Sequence, residues 1–176
     1  MNHIQLRPLR NEDLDAVHRL VSDWNVVRYM LFNLSDRAAA EHFLRDSLAE
    51  GEGTPWRSVV RAIIEASSGD LVGMCGIAIL GTSEEGELWY LLRPDRWGQG
   101  CATEAARLAI QLGFVELGLH RIWATVLPEN PASARVLEKV GMRREGAHRR
   151  NLKIHGEWKD SFAYAILADE FAGAAG

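Results

Sequence analysis

The chain has 176 residues, 47% of them apolar, which suits one well-buried domain spanning 1–176 and is short for two. A formal net charge of −4 argues against a nucleic-acid partner, which needs a concentrated basic footprint. The opening MNHIQLRPLRNEDL holds no long apolar run, so neither a signal peptide nor a membrane span is expected.

In chain order, His3 to Arg7 alternates as a short strand. Asn11 is placed to cap a helix reaching about Asp23, with Leu14, Val17, His18 and Val21 on one stripe. Trp24 to Leu34 reads as irregular and apolar, and Ser35 as the start of a second helix with Ala39, Phe43 and Leu48 inward. Three strands are expected at Ser58–Ala66, Leu71–Leu80 and Gly86–Leu92, joined by turns at Ser67–Asp70 and Gly81–Gly86. A helix follows Gly100 and ends near Gly118, with small residues on the stripe that meets the sheet. His120–Leu127 is β-rich, and Asn130-Pro131 opens another helix, because Asn caps and Pro is tolerated at the first position. Strands near Arg143–Arg150 and Trp158–Leu167 close the chain, and the tail 168–176 lacks a core pattern and is expected to fray. The order βααβββαβαββ describes an α+β protein with a single mixed sheet flanked by helices.

The most informative stretch is Leu91–Ala106, LLRPDRWGQGCATEAA, which joins an apolar strand to a helix through Pro94, Gly98 and Gly100. A helix start leaves N–H groups unpaired at the positive end of the dipole, and glycines let that backbone approach a ligand. The stretch reads as a pyrophosphate cradle. A P-loop is excluded, because no Gly-Lys-Ser/Thr ends the turn. Cys75 and Cys101 have no paired or metal-ligand spacing, so no metal site is expected and a reducing, cytoplasmic setting fits.

WGQGCATEA and, thirty residues on, PENPASARVLEKVGM together resemble the GNAT (GCN5-related) N-acetyltransferase family. With LWYLLRP and HGEWKDSFAYAIL, the wording is most similar to the RimJ/RimL-like ribosomal-protein N-terminal acetyltransferase branch. The resemblance runs from HIQLRPLRNEDLDAV through nearly the whole chain. It implies the GNAT fold, with a mostly antiparallel sheet, and acetyl transfer from acetyl-CoA to a primary amine by direct attack. The implied acceptor is a protein or peptide N-terminal α-amine, such as that of a ribosomal protein. A small amine (polyamine, aminoglycoside or amino-acid derivative) is the alternative, and a non-catalytic acyl-CoA-binding module is the reading from another class. A homodimer is also suggested by resemblance.

The same resemblance implies roles for particular residues. The cofactor's pyrophosphate would rest on the amides of Trp97, Gly98, Gln99, Gly100, Cys101, Ala102 and Thr103, and its pantetheine arm on the main chain of Leu91, Leu92 and Arg93. The family's usual pattern begins with Gln or Arg where this chain has Trp97. Asn130 would contact the cofactor arm as well as cap its helix. Ser133 would protonate the departing thiolate, because the Tyr that many members carry in this helix is absent. Glu87 is the candidate base, against a plain edge carboxylate. Trp24, Arg28, Tyr29 and Phe32 fall where the family overhangs its acceptor. The basic run from Arg143 to Lys153 reads as a solvated hairpin face, with the 3′-phosphate of CoA as a further use, and Asp160 as structural.

Overall fold

The computed structural model describes residues 4–31, 36–49, 56–80 and 84–173. Among them, strands β1 (Ile4–Pro8), β2 (Trp56–Glu65), β3 (Leu71–Leu80), β4 (Glu85–Leu92), β5 (Arg121–Val126), β6 (Arg143–Ile154) and β7 (Glu157–Leu167) form one sheet. Its order is β1-β2-β3-β4-β5-β7-β6, and β4 with β5 is the parallel pair in an otherwise antiparallel sheet. Helices α1 (Leu14–Ser22), α2 (Trp24–Val27) and α3 (Arg37–Leu48) cover one face through Val17, Val21, Val27 and Leu44. Helices α4 (Cys101–Val115) and α5 (Pro131–Lys139) cover the other through Ala105, Ala109, Ile110 and Leu137. Full burial of a side chain such as Ile110 contributes about 1.5–3 kcal/mol.

Strand alternation sorts β4 between the two cores. Leu88 and Leu92 enter the α4/α5 core, whereas Leu91 and Trp89 enter the α1–α3 core. Small residues bring α4 close to the sheet: a Cβ at Gly113 would lie 2.6 Å from Ile122 Cδ1.

β3 keeps its ladder to β4 from Ala78↔Glu87 to Gly73↔Leu92, and β5 keeps its ladder to β7 along its whole length. Between these two half-sheets, β4 and β5 pair only at Glu85↔Arg121, Gly86↔Ile122 and Glu87↔Trp123. Beyond Glu87 the strands separate and both line a cleft. Gly86 marks the pinch, since a Cβ there would overlap Ile77 Cγ2 and reach 2.8 Å from Leu119 Cδ1. Arg121 ties this end together, donating to Glu85 Oε2 at 3.0 Å and pairing with Glu145 of β6.

Several expectations need correction. Asn11 does not cap α1: Asn11–Asp13 form a 3-10 turn, and Asp13 accepts from the Arg10 amide and from both Arg7 NH groups. The segment after Asp23 contains α2, capped by Asp23 through the Asn25 amide. Ser35 lies outside the described residues, and Asp36 caps α3 through Ala38 N–H. The buried stripe of α3 is Ala40, Leu44 and Ser47, and Leu48 is exposed.

The tail is helical over Ala168–Gly173, where fraying is expected from sequence. Three contacts hold it: Ala168 N–H donates to His120 C=O, Glu170 accepts from the Leu167 amide, and Phe171 packs 5.4 Å from Phe114. The last two strands are longer than expected, and β6 bulges between His148 and Leu152, where Arg150 has φ 48°. Asp160 accepts the Arg150 amide there at 2.8 Å, a structural role.

Candidate active site

The cleft opened by β4 and β5 holds about 760 Å³ and is lined from β4, β5, α5, the turn before α4 and the segment after α2. At its cradle, Gly98 and Gly100 have φ of 75° and 86°, in the left-handed region where glycine is at ease. Gly100 is the N-cap of α4 and has no side chain to satisfy the opening amides. A Cβ at either glycine would meet nothing within 4 Å, so the backbone is approachable from the cleft. Trp97, Gly98, Gly100, Ala102 and Thr103 line the cleft.

Gln99 and Cys101 do not line it, so their side chains are not part of the cradle surface. Gln99 Nε2 instead donates to Asp95 C=O at 2.8 Å, bracing the turn. Cys101 is buried in the α4/α5 core, and burial pushes its thiol up from the ordinary value, which removes it as a nucleophile. Trp97 is half exposed, and its indole Nε1 donates to Leu92 C=O at 2.9 Å, pinning the turn onto the end of β4.

The register of β4 changes the expectation for its main chain. Arg93 N–H donates to Val72 C=O at 2.8 Å, so Arg93 and Leu91 turn their peptide groups toward β3. By the same alternation the peptide groups of Leu92, Tyr90 and Leu88 face the opening. Of the expected Leu91, Leu92 and Arg93, only Leu92 faces the cleft in this way, and its carbonyl is taken by Trp97.

Asn130 caps α5, accepting the Ser133 amide at 3.2 Å through Oδ1 and leaving its NH₂ donors for other partners. Ser133 lines the cleft from the first turn of α5. Its Oγ shares a hydrogen bond of 2.8 Å with the Tyr90 hydroxyl, which reaches across from β4. Burial pushes the Tyr90 phenol up to about 12, against the lowering effect of Ser133, so Tyr90 stays protonated at neutral pH. Tyr90 escapes sequence reasoning because its partner is 43 residues away. The one signal is its strand parity with Leu88 and Leu92, on the α4/α5 face.

Glu87 is the last residue of β4 paired with β5, and it lines the cleft where the strands part. Burial raises its carboxyl above the ordinary value. It shares a strand face with Trp89 and Leu91, so it lies on the α1–α3 side, opposite Tyr90.

On that side Arg28 and Tyr29 line the cleft, and Tyr29 Oη donates to Glu129 C=O at 3.1 Å across the opening. Trp24 does not line it. Trp24 is an exposed ring packed 4.7 Å from His155. Phe32 lies outside the described residues. Sequence reasoning missed Met30, Leu31 and Phe43, which complete this apolar wall. No cluster of three or more potential metal ligands occurs among the described residues, and no helix among them is long and apolar enough to cross a membrane.

Residues 3–143 match the family model for an acetyltransferase (GNAT) domain. The chain is 32% identical over 167 residues to the uncharacterized N-acetyltransferase YnaD of Bacillus subtilis, covering 94% of each chain. It is 27% identical to the spermidine N(1)-acetyltransferase of Escherichia coli, covering 96% of this chain and 88% of that one. Among solved structures, a GNAT-family acetyltransferase from Bacillus anthracis superposes with a TM-score of 0.85 at 30% identity, covering 96% of both chains. The Vibrio cholerae spermidine N-acetyltransferase in complex with CoA and spermine shares the fold, with a TM-score of 0.82 at 22% identity, covering 98% of this chain and 99% of that one. A mixed sheet split between β4 and β5, with a glycine turn at one mouth, is thus the GNAT fold, and the chain belongs to the GNAT family of N-acetyltransferases.

Proposed function

We propose that the protein transfers acetyl from acetyl-CoA directly to an α-amine, that of an amino acid or of a peptide N-terminus as in the RimJ/RimL-like branch. The observation that carries this reading is the two-sided cleft. One wall has a phosphate-type cradle and a hydroxyl pair, and the other a half-buried carboxylate with aromatic surroundings.

Acetyl-CoA supplies the activated acyl group as a thioester. The open amides at the start of α4 suit its pyrophosphate, and the cleft-facing peptide group of Tyr90 with the Leu92 N–H suits its arm as an added strand would. Glu87, with its raised carboxyl, takes the proton of the attacking amine directly or through water. A peptide N-terminal amine has an ordinary pKa of about 7.7–8 and needs little help, whereas a lysine-like amine at about 10.4 needs more. One half-buried carboxylate therefore suits a peptide N-terminus with least demand on the base.

Ser133 delivers the proton to the departing thiolate, and Tyr90 behind it replaces that proton. A phenol is a better acid than an aliphatic hydroxyl, so the pair is a more effective donor than Ser133 alone. Holding thioester and amine together lowers the barrier through proximity, with no acetyl-enzyme required.

The test is acetyl-CoA-dependent thiol release over a panel of amino acids, N-terminal peptides, spermidine and an aminoglycoside. Turnover on α-amines supports the reading. Turnover confined to spermidine, the substrate named for three relatives, replaces it with the small-polyamine reading. Tight CoA binding without turnover on any amine replaces it with a binding module.

A further inference from the structure

We propose that Arg28 binds a carboxylate of the acceptor, so that the preferred acceptor is an α-amino acid with an apolar side chain; this rests on the transfer reading above. Arg28 follows α2 and lines the cleft on the α1–α3 side, the side to which Glu87 is directed. Its Nε is a buried side-chain donor with no hydrogen-bond partner among the described residues. The guanidinium packs 4.8 Å over the Tyr29 ring, which holds it in place without supplying Nε an acceptor.

Other arginines near the fold's interior are matched. Arg7 grips Asp13, Arg96 grips Glu65 and Asp95, and Arg121 bridges Glu85 and Glu145. An arginine presents five donors in a planar fork that fits a carboxylate, and a buried donor left unmatched is costly. Because Arg28 lines the cleft, a ligand carboxylate there would supply acceptors to its guanidinium.

That ligand group belongs to the acceptor rather than to the cofactor. The cradle and α5 lie on the Tyr90 face of β4, and Arg28 lies on the Glu87 face. A carboxylate on Arg28 with the amine directed toward Glu87 describes an α-amino acid. Met30, Leu31, Phe43 and Trp89 offer its side chain an apolar wall. A polycation would meet the guanidinium with like charge, which disfavours it.

The experiment compares kcat/KM for phenylalanine, phenylalaninamide, phenethylamine and spermidine in wild type, Arg28→Gln and Arg28→Lys. Because these amines differ in basicity, the decisive quantity is how the carboxylate advantage changes between wild type and variant. The expected loss in Arg28→Gln is about tenfold or more, mostly in KM, as for one charge-assisted hydrogen bond, with partial recovery in Arg28→Lys. Calorimetric binding of N-acetylphenylalanine against N-acetylphenethylamine gives a readout that needs no turnover. Turnover on amines with an unchanged carboxylate advantage in Arg28→Gln overturns the proposal and leaves the transfer reading intact. Arg28-dependent binding of the acetylated acid without turnover of any amine upholds the site and overturns the transfer reading. Binding of the two acetylated ligands with equal affinity, or spermidine as the best substrate, overturns the assignment of Arg28.

Discussion

Replacing Tyr90 by Phe removes one hydroxyl from a contact that is 2.8 Å from Ser133 Oγ and 3.3 Å from the Ser133 carbonyl. The ring still packs against the α4/α5 core, so the stability cost is that of one hydrogen bond, about 0.5–1.5 kcal/mol. The catalytic cost is larger if the hydroxyl feeds the proton that Ser133 passes on, because a positioned acid contributes about 10²–10⁴ in rate. Tyr90→Phe, Ser133→Ala and the double variant should therefore lower kcat by similar factors, the double no worse than the worse single, as for residues acting as one unit. The assay is single-turnover acetyl transfer at saturating acetyl-CoA, with CoA affinity and Tm measured alongside. Wild-type kcat in Tyr90→Phe, or multiplicative losses in the double variant, would refute the paired-donor reasoning.

Glu87→Gln should lower kcat by about a hundredfold or more while raising Tm at neutral pH. Burial lets the folded state keep the Glu87 proton to higher pH than the unfolded chain does, so stability falls as pH rises from the ordinary carboxylate value through the raised one, and Gln removes that loss. A thermal-shift series against pH, flat in the variant over that window, checks it. Gly100→Ala adds a side chain at φ 86° without a clash, so it should cost about 1–2 kcal/mol of strain in a denaturant melt and weaken CoA binding by calorimetry. Asp13→Asn should destabilise by about 1.5–3 kcal/mol, because it removes the negative charge and one of the two oxygens that accept from Arg7. Burial pushes the Asp13 carboxyl up, but hydrogen bonds from Arg7 and the Arg10 amide outweigh it and hold it low. Its stabilisation is therefore complete above the ordinary Asp value and lost as pH falls through the lowered one, which an acid-denaturation curve of wild type against Asp13→Asn reads directly.

What was legible in the sequence was local. Gly98 and Gly100 announce a left-handed turn into a helix, and Asn130-Pro131 announces a capped start, because both depend on residues a few positions apart. Strands β2, β3 and β4 were visible as apolar runs, β3 at its full extent and the other two with ends displaced by at most two residues. The place where the sheet opens was not visible, since it depends on how far β5 pairs with β4 after the α4 crossover. Once β5 takes that place and pairs only through Glu87, the edge of β4 beyond it becomes a ligand surface.

The same gap explains the individual misses. Nothing local singles out Tyr90 until α5 brings Ser133 to it, and the peptide groups of Leu91 and Arg93 read as available until the β3 register turns them away. Trp24 falls in the segment that the resemblance sets over the acceptor, but its ring packs beside His155 and not in the cleft. The tail helix depends on Phe171 finding Phe114, a contact with no local pattern to announce it.

Direct transfer from cleft-bound acetyl-CoA to an α-amine is checked by initial rates with both substrates varied, together with intact-mass analysis of enzyme held with acetyl-CoA alone. Intersecting lines, an N-acetylated α-amine as product and unmodified enzyme are the predicted result. Parallel lines with an acetylated enzyme, or no acetylated amine from any α-amine supplied, would contradict it.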